Sequence, residues 1–214
     1  MTRPIRFLAL FAAIVMAGAC VEGGPPGSSR APVSQPPAST PTGGGTCPTS
    51  QPPALAAGQK RLVTIETAKG KIVITVDGSL APAAAGNFVA LAGCGFYDRV
   101  VFHRLVPGFV IQGGDPTGTG SGGPGYEFAD EPVVGEYVRG AVAMANAGPD
   151  SNGSQFFIIL DDLTGKLDKN YSLFGHVTSG MDVVDAIAAM PNGGPPNNKA
   201  TSPIAMDKVT VSNP

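Results

Sequence analysis

The chain has 214 residues, 43% of them apolar and only 14% charged, with a formal net charge of -2. That is enough for one domain with a proper core plus extra material, and the absence of any basic run excludes the electrostatic footprint of a nucleic-acid binder. The 30 Gly and 21 Pro are concentrated in clusters, and the clusters mark boundaries.

In chain order, Arg3 and Arg6 precede a short apolar stretch from Phe7 to Ala17, a pattern that predicts a secretory signal peptide over residues 1–19. The stretch is too short to cross a bilayer comfortably. Ala17-Gly18-Ala19-Cys20 fits either ordinary cleavage, giving a secreted protein, or lipidation of Cys20, because a small pair before a cysteine resembles a bacterial lipobox. The expectation taken here is the lipoprotein: an exported chain held to the membrane through Cys20. Residues 20–60 are Pro, Gly, Ser, Thr and Ala with almost no large apolar side chain, which predicts a disordered linker. As coil, roughly 40 residues would span about 35 Å. If Cys20 carries lipid, Cys47 and Cys94 remain, either as a disulfide clipping the end of the linker to the first helix or as two unpaired thiols.

From residue 61 to 214 the pattern is that of a folded domain. Arg61–Thr67 and Lys71–Asp77 alternate apolar and polar residues around Lys69-Gly70, predicting a β-hairpin. Pro82 opens a helix that places Phe88, Leu91 and Ala92 on one face. Strands are expected at 100–105, 109–112, 139–144, 155–160 and 172–177, then a helix over Met181–Met190 and one last strand over Pro203–Val211. Many short strands with glycine-rich turns and few helices imply a closed antiparallel barrel.

Two segments carry the chemistry. Phe102-His103-Arg104-Leu105-Val106-Pro107-Gly108-Phe109-Val110-Ile111-Gln112-Gly113-Gly114-Asp115 and Met144 to Ile158 set a few hydrogen-bonding side chains (Arg104, Gln112, Asn146, Gln155) among large apolar ones. On an alternating strand Phe102 and Arg104 share a face, so one of them must border apolar ground or a cleft, where an arginine needs a partner. Gln112 on the next strand is placed to orient it. Gly118-x-Gly120-x-x-Gly123 formally satisfies a dinucleotide fingerprint, but Pro124-Gly125 stands where the helix that binds the pyrophosphate would have to begin. The two histidines, His103 and His176, lie at no ligand spacing, and there is no G-x-S-x-G elbow, so neither a metal site, a cofactor nor a hydrolytic triad is expected.

At these residues the chain resembles the cyclophilin family of peptidyl-prolyl isomerases, whose F-H-R-x-x-P-G-F-x-x-Q-G-G-D and M-A-N-A-G-x-x-x-N-G-S-Q-F-F blocks both occur here in family order, over a match of residues 61 to 212. The resemblance implies an eight-stranded barrel closed by two helices, with a peptide groove on its outer surface. It implies Arg104 as the catalytic residue, with Gln112 and Phe157, and a substrate site of His103, Phe109, Val110, Ala145, Asn146, Gln155, Leu167 and Tyr171. In this reading residues 115–125 form a flexible loop bordering the groove. Val110 stands where many relatives carry methionine, and Tyr171 replaces a histidine common in eukaryotic members. Lys166 falls where cyclosporin-sensitive members place tryptophan, which implies weak inhibition by that drug. The implied function is isomerisation of X-Pro bonds in exported polypeptides by a monomer without cofactor; the alternative is a noncatalytic module holding Pro-containing segments in the same groove.

Overall fold

Strand alternation and one helix opened by proline account for most of the fold. The computed structural model describes residues 45–214; the predicted signal segment, Cys20 and the predicted linker up to residue 44 lie outside the described residues. The hairpin forms from β1 (Lys60–Thr67) and β2 (Gly70–Asp77), whose registered pairs Val63↔Ile74 and Ile65↔Ile72 put four fully buried side chains on one face. Then come α1 (Pro82–Gly93), β3 (Val101–Val106), β4 (Val110–Gly113), β5 (Ala141–Met144), β6 (Phe156–Ile159), β7 (Leu173–Ser179), α2 (Met181–Ala188), β8 (Lys199–Ala205) and β9 (Lys208–Ser212). Among the described residues no helix is long and apolar enough to cross a membrane.

The expected closed eight-stranded barrel is replaced by a curled half-barrel of nine strands in the order β8-β3-β4-β6-β5-β7-β2-β1-β9. The difference arises at the C-terminus, where the single predicted strand over Pro203–Val211 divides into two. Met206 buries its side chain completely and exchanges backbone hydrogen bonds with Arg99 and Val100, while the next amide, Asp207, donates to Glu66 O. The chain therefore changes partner within two residues, from β3 on one edge to β1 on the other, and β8 and β9 are not hydrogen-bonded to each other.

The sheet carries apolar residues on both faces. Ile111, Val142, Met144, Phe156 and Ile158 face inward with Phe102 and Leu105 and pack on Phe88 and Leu91 of α1. Phe88 stands 5.0 Å from Phe156 and 4.8 Å from Phe174, ring to ring. Burying each such ring contributes about 1.5–3 kcal/mol. Their strand neighbours Val110, Ala141, Ala143, Phe157 and Ile159 form a second cluster on the outer face, and this one positions the site.

The described part of the predicted linker is packed rather than free. A disulfide joins Cys47 to Cys94 just beyond α1, settling the alternatives left open by the sequence. Leu55 is only 7% exposed and its amide donates to Pro82 O at 2.9 Å. Gly86 makes room for this segment on α1, since a β-carbon there would overlap Pro53 O.

Candidate active site

Register builds the site as a row across four strands. Arg104 pairs with Gln112, Gln112 with Phe157, and Phe157 with Ala143, so their side chains stand side by side on the outer face. The adjacent row, Val106, Val110 and Ile159, extends the apolar ground. Phe102 does not share this face, contrary to simple alternation. Phe102 and Leu105, three residues apart, both enter the inner core, and the β3–β8 register shifts between Phe102 and Arg104. That irregularity is what turns Arg104 outward while Phe102 stays inside.

A cavity of about 150 Å³ opens on this row, lined by Arg104, Phe109, Val110, Gln112, Ala145, Asn146, Phe157, Leu167 and Tyr171. Phe157 forms the floor, with Tyr171 set edge-on at a ring distance of 5.4 Å. Arg104 stands at the rim and donates through Nη1 to Gln112 Oε1 at 3.2 Å. Gln112 Nε2 donates in turn to Gln155 Oε1 at 2.9 Å. A second cavity of about 160 Å³ adjoins the first across Gln112, Ala145 and Asn146 and is walled by Gln155, Glu127, Ser121, Ser151 and Gly120 and Gly122 of the 115–125 loop.

Two of the residues expected to touch substrate are placed differently from the rest. Gln155 lines the second cavity, with both amide hydrogens engaged by Gly120 O and Gly122 O at 3.0 Å. His103 lines neither cavity. It is 5% exposed, packs beside Gly120, and neither ring nitrogen has a hydrogen-bond partner. Burial holds its pKa below the ordinary imidazole value, leaving it neutral at pH 7.

Supporting residues that the sequence reading missed hold the lining in place. Tyr137 OH donates to Tyr171 O at 2.7 Å and accepts from Tyr171 N at 3.0 Å. Asn146 Nδ2 donates to Asn170 O and Asp130 Oδ1, and Asp130 also accepts from Asn152. The loop after Gly114 borders the groove as expected, but Asp115 ties it down. The Asp115 carboxyl stays ionised to a pKa of about 2, because hydrogen bonds from Gly122, Thr117 and Gly120 outweigh the opposing effect of burial. Only Asp115 left a trace in sequence, as the acidic residue that ends the first block and opens the glycine-rich segment; Asp130 and Tyr137 left none. Among the described residues no group of three or more His, Cys, Asp or Glu side chains is placed to hold a metal. Chemically the arrangement offers a cation at the edge of an apolar slot and no nucleophile.

Comparison with known proteins agrees with this geometry. Residues 62–211 match the family model described as cyclophilin type peptidyl-prolyl cis-trans isomerase/CLD. The chain is 42% identical over 173 residues to the probable peptidyl-prolyl cis-trans isomerase A of Mycobacterium leprae, covering 72% of this chain and 93% of that one. It is likewise 42% identical over 168 residues to peptidyl-prolyl cis-trans isomerase A of Mycobacterium tuberculosis, covering 70% and 91%. The fold is similar to a crystal structure of a Cryptosporidium parvum cyclophilin type isomerase, with a TM-score of 0.66 and 36% identity over 72% of this chain and 99% of that one. A second structure of that protein, in the presence of the dipeptide Ala-Pro, matches equally well at 35% identity.

Proposed function

The chain belongs to the cyclophilin-type peptidyl-prolyl cis-trans isomerases, and from that membership we propose that Arg104, Gln112 and Phe157 perform the isomerisation in the 150 Å³ cavity. The single observation that carries this reading is the row Arg104–Gln112–Phe157, a cation, its acceptor and an aromatic floor in register on three adjacent strands.

Rotation about an X-Pro bond faces a barrier near 20 kcal/mol and takes tens of seconds uncatalysed. A turnover of about 10 per second requires lowering that barrier by roughly 4 kcal/mol. In the twisted transition state amide resonance is lost and the prolyl nitrogen gains a free lone pair. A guanidinium donor aimed at that nitrogen stabilises the twisted state over either planar isomer, and a charge-assisted hydrogen bond contributes about 1.5–3 kcal/mol. The apolar slot formed by Phe109, Val110, Phe157, Leu167 and Tyr171 holds the pyrrolidine ring, and Ala145 and Asn146, just beyond β5, hold the flanking backbone. Because Asn146 spends both amide hydrogens on the protein, its contact with substrate uses acceptors or backbone. A dipeptide such as Ala-Pro, with which the Cryptosporidium parvum relative was crystallised, has the size and chemistry of this slot.

The biological setting belongs to the same proposal: an exported monomer, anchored through lipid on Cys20, that assists folding of exported proteins at Pro bonds. Its supports are the charged start and short apolar stretch of residues 1–19 and the small pair before Cys20. Exchange spectroscopy on a short Pro peptide tests the activity directly. Catalysed exchange between cis and trans resonances is expected, and binding shifts without exchange would point to the noncatalytic module instead.

A further inference from the structure

The Arg104–Gln112–Gln155 contacts form one polar chain with only one self-consistent sense. A guanidinium can only donate and a peptide carbonyl can only accept, so the two ends of the chain fix both amides between them. Arg104 donates to Gln112 Oε1, Gln112 Nε2 donates to Gln155 Oε1, and Gln155 Nε2 donates to Gly120 O and Gly122 O. Were those carbonyls to move away, Gln155 could turn its amide over, Gln112 could follow, and Arg104 would face a donor.

What holds the two carbonyls is Asp115, 1% exposed and outside both cavities. Its carboxylate accepts from Thr117 N and Oγ1 at 2.7 and 2.8 Å, from Thr119 N and Oγ1 at 3.0 and 3.3 Å, and from Gly120 N at 2.6 Å. These bonds wrap residues 117–122 around one anion. The wrap is tight: a β-carbon on Gly122 would overlap Asp115 Oδ1 and come within 2.9 Å of Thr117.

We propose that Asp115 is a positioning residue for the isomerisation, closing the loop whose Gly120 and Gly122 carbonyls set, through Gln155 and Gln112, the direction in which Arg104 points. The proposal rests on the reading of Arg104 as the catalytic residue. It asks for a long-range effect on turnover rather than on binding, because the slot that holds the proline ring is built from other residues.

Two variants open the loop by different means. Asp115→Asn puts a donor where Thr119 N and Gly120 N need an acceptor, and Gly122→Ala drives a methyl group into the carboxylate. Each is expected to lower kcat about tenfold, in line with the cost of misplacing a catalytic group, with KM within twofold of the parent. Each should also shift the guanidinium NMR resonances of Arg104 while leaving those of Phe157 and Tyr171 in place. In a Gln112→Met background, where the chain is already cut, Gly122→Ala should cost less than twofold more. A tenfold cost in both backgrounds, or an unchanged kcat in Gly122→Ala, overturns the proposal; the latter two measurements decide the matter even if Asp115→Asn does not fold. Arg104→Ala in the same assay separates the two levels. Full activity there removes the catalytic assignment itself, whereas lost activity beside an unaffected Gly122→Ala removes only the role of Asp115.

Discussion

Replacing Arg104 with alanine removes the one cation lining the 150 Å³ cavity and leaves its apolar floor untouched. The residue contributes nothing to the inner core, and its side-chain hydrogen bond to Gln112 Oε1, 3.2 Å long, faces an open groove where water can replace it. Stability should therefore change little. The transition state, in contrast, loses a charge-assisted hydrogen bond of about 1.5–3 kcal/mol, which at 1.4 kcal/mol per decade is a roughly 10- to 150-fold fall in kcat/KM. The loss should appear in kcat, since proline is held by Phe109, Phe157, Leu167 and Tyr171. Exchange spectroscopy over a range of peptide concentrations separates kcat from KM, and circular dichroism checks the fold. An Arg104→Ala protein that keeps kcat/KM within twofold of the parent would refute the mechanism.

Three other expectations follow from features away from the row. Reducing Cys47–Cys94, or replacing both by serine, frees a loop of 47 residues' separation and should cost up to about 4 kcal/mol on the chain-entropy account, with isomerase activity of the folded form retained; an unchanged thermal midpoint would count against it. Acid should destabilise the fold in two windows. His103 has a depressed pKa, so its contribution is present above 6.5 and is lost as pH falls through its lower folded value; Asp115 contributes above 3.8 and loses that contribution as pH falls through about 2. Unfolding midpoints measured from pH 7 down to pH 5 should decline less in His103→Gln than in the parent, and an equal decline would show that other groups are responsible. Cyclosporin should inhibit weakly if, as the family resemblance implies, Lys166 stands where sensitive relatives carry tryptophan; its Nζ is engaged by Asp162 O at 2.9 Å, and tight inhibition in the exchange assay would contradict the expectation.

The lining of the slot was legible because two contiguous blocks supply most of it, and local sequence carries strand type and face. Phe109, Val110, Gln112, Ala145, Asn146, Phe157, Leu167 and Tyr171 line one cavity with Arg104. Simple alternation fails at Arg104: Phe102 and Arg104 do not share a face, because a register shift against β8 intervenes. A bulge depends on a partner strand about a hundred residues away and leaves no local pattern. The same holds for the division of the last strand at Met206, for Tyr137 beneath Tyr171, and for the packing of Leu55, each decided by tertiary contacts. His103 shows the opposite limit, since its place in a motif suggested a contact with substrate that its burial does not supply.

The change of partner at Met206-Asp207 also bears on how the protein is made. β1 emerges first, yet one of its two neighbours, β9, is the last strand of the chain, and β3 waits for β8 just before it. Until residues 199–212 are available, β1 and β3 each lack one of their partners, and unpaired strand backbone is prone to sticking to other extended chains. Assembly that depends on such distant pairings is intrinsically slow. The fold would thus be vulnerable until residues 199–212 arrive, and their loss should be far more damaging than their number suggests.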